Sequence, residues 1–308
     1  MNQMPLHNAT GFTLVELLIA LVVASLVLAA VYSSLQSQHA SYLAQDQVVE
    51  MQQNLRAAMN IMARELRMAG YDPTLRAWRE PTPASVLKAT ARQLQISMDS
   101  NENGVVVDPD PKPPNTETNE IVAFGFGSGI DVQPADGIAD DGAANLGRNT
   151  GGGFQPIAEN IHAVGFAYAF DANGNGSLDF NDLNNNHVQD PGETTIWAVD
   201  TNDDGEWDDL DNNGDGFINT DDLLALAAGA PPPPVQAMAG SHTGIAMHPG
   251  DVRAVRIWLL ARASLPDWHY TNTGTYVLGQ QVVTVNDHFR RQLLETVVDC
   301  RNMGLVRQ

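Results

Sequence analysis

The sequence predicts an α+β fold, in which a long N-terminal helical spine packs against an antiparallel β-sheet head that carries a calcium-loop insertion. Three observations predict it. An apolar run from Phe12 to Tyr32 passes into a helix-period pattern that lasts to about residue 70. Short β-prone runs bounded by Gly, Pro, Asn and Asp clusters then follow one another to the end of the chain. Between Asp171 and Asp222 stand fifteen Asp or Glu and no Lys or Arg, with repeated calcium-ligand spacing.

The spine comes first. From Phe12 to Tyr32 about 21 residues, at about 1.5 Å of rise each, suffice to cross a hydrocarbon core of about 30 Å. One carboxylate, Glu16, interrupts the run. An ionisable side chain costs roughly 2.5 to 3.5 kcal/mol at the bilayer centre, so this one requires a partner. A secretory signal would place its small cleavage residue behind the apolar core. Here Gly11 stands in front, so a cut after it would release a polar leader, residues 1–11, and leave the hydrophobic helix on the mature chain. Farther on, Val48, Met51, Leu55, Met59, Met62, Leu66 and Ala69 recur at spacings of three and four, which predicts one buried stripe on an amphipathic half over 33–70. Gly70 and Pro73 supply the stop. One helix over this whole stretch would be near 85 Å long, at about 1.5 Å per residue. Two helices joined near Ser33 and Ser34 are the other solution.

The head, 71–308, reads as strands over Gln93–Met98, Glu120–Phe126, His162–Phe170, Thr194–Val199, Val252–Arg262, Tyr276–Val285 and Arg290–Arg301. In Val252–Arg262 the side chains of Val255, Ile257 and Leu259 fall on one face, Arg256 and Arg262 on the other, so these arginines are expected on a solvated face. Cys300, the only cysteine, shares a face with Leu294, Thr296 and Val298 and is expected to be a buried thiol. A short helix over Leu223–Ala228 and a stiff Pro231–Pro234 spacer lead into a Pro/Gly-rich linker at 229–250.

The net charge of -21 comes mostly from the segment 171–222 and argues for a cation and against nucleic acid as its ligand. Asp171, Asn173, Asn175, Ser177, Asp179 and Asp182 fall at positions 1, 3, 5, 7, 9 and 12 of a calcium loop, with Gly176 at position 6. Asp200, Asn202, Asp204, Glu206, Asp208 and Asp211 repeat the spacing around Gly205, and Asp211, Asn213, Asp215, Phe217, Asn219 and Asp222 repeat it around Gly216. Alternate oxygens in a tight turn converge on one hard cation, position 7 contributes its backbone carbonyl, and a last carboxylate closes the shell. A fourth match from Asp182 to Glu193 has His187 where glycine is wanted, and Asp99 to Gly104 begins a turn whose position 9 is Val107. Asp182 and Asp211 each close one loop and open the next. Either one carboxylate bridges two ions or neighbouring loops compete, so two or three Ca2+ ions are expected. The closing Asp resembles dockerin-like loops more than helical EF-hands.

The hexad Gly11-Phe12-Thr13-Leu14-Val15-Glu16 ahead of the apolar run resembles the type IV prepilin N-terminus. That resemblance implies cleavage by prepilin peptidase after Gly11 and methylation of the new N-terminal Phe12. It also implies that Glu16 pairs with the terminal amine of an adjacent subunit. In the head, Met62 to Pro73, Gln155 to Ile161, Val255 to Arg262, and Arg290 to Leu294 with Arg301-Asn302 resemble the PilW-type minor pilins. The resemblance implies a pilin-like fold and a structural subunit of type IV pilus assembly, in the priming or tip complex. Its partners would be other major and minor pilins and the inner-membrane assembly platform. The chain would be anchored in the bacterial inner membrane with its head in the periplasm before entering the filament. The J-type pseudopilin of type II secretion and a calcium-dependent tip adhesin are the alternatives. Ser241, His242, His248, Asp251 and His269 fall in no nucleophile motif, so no enzyme is expected.

Overall fold

The computed structural model describes residues 12–75, 85–106, 120–132, 135–223 and 238–304. The leader with Gly11, the expected helix beyond Leu223 and the proline spacer lie outside the described residues. By contacts the chain divides into residues 1–47 and 48–308.

Helix α1 runs over Leu14–Leu66 with no break at Ser33 and Ser34. It contains a stretch long and apolar enough to cross a membrane. In the first unit the residues from Phe12 to Leu35 are all exposed, an apolar surface that water does not favour. In the second unit the helix buries Met51, Leu55, Ala58, Met59, Met62 and Leu66, the stripe set by their three-four spacing. Beyond the helix, the Gly70 N–H donates to the Ser97 carbonyl and ties the exit of α1 to the sheet.

The sheet comprises β1 (Val86–Ala89), β2 (Leu94–Ser97), β3 (Ile121–Phe126), β4 (Ala144–Asn149), β5 (Phe154–Phe170), β6 (Ala198–Val199), β7 (Glu206–Asp209), β8 (Ser241–Ala246), β9 (Val252–Arg262) and β12 (Arg291–Asp299). All of its pairings are antiparallel. Strands β1 to β4 follow in order to β5, which pairs with β9, and β9 with β12. From the far end of β5, Tyr168 pairs with Ala198, which starts the short series β6, β7, β8. A separate hairpin, β10 (Thr275–Leu278) and β11 (Gln281–Thr284), completes the set.

Strand β5 is the axis of this arrangement. From Ile161 to Phe170 every residue is buried, with no alternation, as a strand covered on both faces requires. Hairpin β10–β11 lies against it at Gly165: a methyl group there would land on the carbonyl of Leu278. At the end of β5, Phe170 stacks on Trp207 of β7 at 5.0 Å between centroids.

Several expectations are corrected. The run Tyr276–Val285 is two strands joined by Gly279 and Gln280. Gly279 has φ +61°, as the first residue of a type II′ turn needs. Part of the expected linker is strand β8, whose pairing with β7 satisfies its backbone. Arg256 is not solvated: it is 9% exposed, held by Glu295 and placed over the rings of Trp197 and Trp258. Cys300, by contrast, is buried as expected, and burial pushes its thiol up to about 12.

Candidate metal-binding loops

The three loops share one hydrogen-bond frame. At position 1, Asp171 accepts the N–H groups of Asn175 and Gly176 at 3.0 and 2.9 Å. Asp200 accepts those of Asp204 and Gly205 at 3.2 and 3.0 Å, and Asp211 those of Asp215 and Gly216 at 3.1 and 2.7 Å. At position 3, Asn173, Asn202 and Asn213 each accept the position 5 N–H at 2.9 Å. At position 5, Asn175, Asp204 and Asp215 accept the N–H groups of Ser177, Glu206 and Phe217 at 2.8, 2.9 and 2.8 Å. Successive Asx turns of this kind wind the chain around one point, which is why short oxygen-bearing side chains occupy alternate positions.

Loop closure differs among them. Asp179 and Asp208, at position 9, accept the position 2 N–H groups of Ala172 and Thr201 at 2.8 and 2.9 Å. In the third loop Asn219 holds position 9 and caps a short 3-10 turn, while Asp222 at position 12 accepts the N–H groups of Asn213 and Asn219 at 3.3 and 2.9 Å. Among the described residues, no three carboxylate, imidazole or thiolate side chains form a metal-holding group. The oxygens of the loops are instead engaged by backbone N–H groups, and much of the donor set is Asn and carbonyl oxygen.

Both shared carboxylates act as openers. Asp182 accepts the N–H groups of Asn186 and His187 at 3.1 and 2.8 Å, so the fourth match folds as the same turn. His187 takes φ +61° at the position where the other loops have glycine. The turn at Asp99 is also complete: its carboxylate accepts the N–H groups of Asn103 and Gly104 at 3.1 and 2.8 Å. Glu120 closes it by accepting the N–H of Ser100 at 2.8 Å, the part that Asp179 plays for Ala172. A further turn escaped the sequence reading. Asp131 accepts the N–H groups of Asp136 and Gly137 at 2.9 and 2.8 Å, and Asp140 accepts that of Val132 at 3.2 Å. It is one residue longer, so a fixed spacing does not find it, although Asp-Gly-Ile-Ala-Asp over 136–140 was a usable signal.

Electrostatically the loops are crowded with negative charge. Burial, with the charges of Asp171 and Asp251, raises Asp179 above the usual carboxylate range. Burial, with Asp211 and Asp215, does the same to Asp222. Burial pushes Asp209, which accepts from Asn181 at 2.9 Å, up to about 6. Among the described residues, the basic group paired with the second loop is His242 of β8, with Nε2 2.8 Å from Glu206 and Nδ1 3.6 Å from Asp208. No local signal links it to the loop, because the pairing of β7 with β8 delivers it. Ser241 and His242 are neighbours on a strand and point to opposite faces, so they do not form a nucleophile and base pair.

At the N-terminal end, Glu16 accepts from the N–H and hydroxyl of Thr13 at 2.9 and 3.0 Å, and Thr13 accepts from the Glu16 N–H at 3.2 Å. This reciprocal capping box starts α1. Phe12 is 92% exposed.

Residues 139–302, more than half of the chain, match the type IV pilus-assembly protein W family. Residues 6–32 match the prokaryotic N-terminal methylation motif. Among solved structures, a type IV-like pilin from Thermus thermophilus is similar, with 14% identity, a TM-score of 0.33, and coverage of 82% of this chain and 97% of that one. No curated protein matches the chain.

Proposed function

This chain belongs to the type IV pilus-assembly protein W family, and from that premise we propose that it is a minor pilin of the priming or tip complex whose head is stabilised by calcium. One observation carries the assembly role: the family match over 139–302 and the methylation motif over 6–32 occur on the same chain. Prepilin peptidase cuts after Gly11, Phe12 becomes the methylated N-terminus, and the exposed apolar part of α1 anchors the chain in the inner membrane. There Glu16 exchanges its local bonds to Thr13 for the terminal amine of a neighbouring pilin, a pairing that offsets the cost of holding either charge in lipid. The family match favours pilus assembly over the J-type pseudopilin alternative. The assembly role is tested by complementation of a strain lacking this chain: wild type should restore surface filaments and Glu16→Ala should not, and restoration by both would remove Glu16 from the account.

The calcium reading rests on the donor chemistry. Hard oxygen ligands at alternate positions, a left-handed position 6 and carboxylates raised by burial and, to a lesser degree, by neighbouring carboxylates all fit Ca2+. Asp171, Asp179, Asp200, Asp204, Asp208, Asp211, Asp215 and Asp222 would supply charge, the Asn residues neutral oxygens, and Ser177, Glu206 and Phe217 their carbonyls. Two or three ions would cancel repulsion among fifteen carboxylates that have no Lys or Arg among them in sequence. Titration calorimetry on the detergent-solubilised chain tests this directly, since absence of calcium uptake at millimolar concentration would return the loops to simple Asx turns.

A further inference from the structure

The second loop is not an isolated turn. Its position 2 residue, Thr201, donates its N–H to Asp208 at 2.9 Å and keeps its carbonyl for a partner outside the loop. That carbonyl accepts the Nε2 hydrogen of Gln280 at 3.0 Å. Gln280 is the second residue of the tight turn between β10 and β11, and its own carbonyl accepts the N–H of Met238 at 2.6 Å. The preceding residue, Gly279, lies against the ring of Trp258 in β9, and Leu278 against Gly165 in β5. The hairpin thereby places Val277, Leu278, Val282 and Val283 in the core. The Gln280 bond to Thr201 also bridges a cleft of about 380 Å³ between the loop, the hairpin turn and the segment Ala89–Arg92.

We propose that Gln280 is a positioning residue through which calcium in the Asp200 loop fixes the β10–β11 hairpin on the sheet. The inference rests on the calcium reading of that loop. A loop without its ion loses the attraction that holds Asp200, Asp204 and Asp208 together, and its strand-to-strand carbonyls fluctuate with it. A filled loop holds Thr201 in place, so the Gln280 amide finds its acceptor at a fixed position. Its ordering then passes to the turn through one side-chain hydrogen bond, while the rest of the hairpin is held by core packing that does not depend on the ion. The Asp211 loop also lies against the hairpin, with Ile218, Asn219 and Thr220 beside Thr275, Tyr276 and Val277 of β10, so a hairpin response to calcium that survives loss of the Gln280 bond would arrive by that packing route.

Hydrogen exchange of the full detergent-solubilised chain, with calcium or with a chelator, tests the proposal by following amides 200–209 and 275–284 in wild type, Gln280→Glu and Gln280→Lys. The Glu side chain has nearly the size of Gln but presents no donor to the Thr201 carbonyl, whereas Lys restores one. Calcium should slow exchange in both segments of wild type, by about five- to tenfold at the hairpin turn. In Gln280→Glu the slowing should persist at 200–209 and vanish at 275–284, and in Gln280→Lys it should return in part. A hairpin that responds to calcium equally in wild type and Gln280→Glu overturns the proposal and leaves the calcium reading standing. So does a wild-type hairpin that does not respond while 200–209 does. No response at 200–209, with no calcium uptake by calorimetry, overturns the calcium reading itself and the proposal with it.

Discussion

The Nε of Arg291 donates to Nδ1 of His162 at 2.8 Å, joining β12 to β5 across β9. The Arg291 side chain is 2% exposed and its other nitrogens are held by Asp287 at 2.7 Å. An imidazole that accepts a hydrogen bond at Nδ1 must be neutral there. Burial and the charges of Arg291 and Arg262 accordingly lower His162 to about 4.

This relationship makes head stability depend on pH with a definite sign. The folded state binds fewer protons at His162 than the unfolded chain, whose imidazole titrates near 6.5. The stability is therefore full above about pH 6.5 and falls as the pH drops from there to about 4, by up to about 3 kcal/mol. Gln at 162 still offers an acceptor to Arg291 but does not titrate. Denaturant unfolding of wild type and His162→Gln should diverge only within that window, and parallel pH profiles would refute the assignment.

Gly165→Ala should destabilise the head by about 1 to 3 kcal/mol, because the new methyl group meets backbone, which does not rotate away. The midpoint of urea unfolding would measure it. An unchanged midpoint would mean that the hairpin does not rest on β5 as described.

His187→Gly should stabilise the Asp182 turn by about 1 kcal/mol through relief of a left-handed backbone. The exposed contact of His187 with Asp182, at 3.5 Å, is a small loss by comparison. Thermal unfolding with and without the substitution decides the sign, and a fall in stability would contradict the strain argument.

Chelation should lower the melting temperature and open 171–222 to protease while β9 and β12 stay protected. Each filled site contributes about 1.4 kcal/mol at tenfold excess of calcium over Kd. Asp211→Ala should mimic the chelator more fully than Asp200→Ala, since the Asp211 carboxylate frames the third loop and is also the expected closing ligand of the second. Equal proteolysis with and without calcium would count against stabilisation by the ion.

Mass spectrometry of the membrane-bound chain should find N-methylated Phe12 as its first residue. An intact Met1 would overturn processing at Gly11, whatever the state of the head.

What the sequence by itself determined is local. The three-four spacing from Val48 to Leu66 located the buried stripe of α1, and the alternate oxygens of the loops located turns whose donors lie two to five positions from their acceptors. Both follow from helix period and Asx-turn geometry, which operate within a few residues. The split of Tyr276–Val285 was legible too, since Gly279-Gln280 is a hairpin signal, whereas β4, with the sequence Ala-Asn-Leu-Gly-Arg-Asn, lacks β-prone residues altogether. Tertiary structure alone decided which strand lies beside which. It brought β8 to β7 and so His242 to the second loop, set Glu120 on a turn 20 residues away, and placed Arg291 on a histidine 129 residues away. Such partners are selected by where the chain returns after long connections. That return depends on burying the β5 and β9 faces as a whole, so no short window of sequence encodes it.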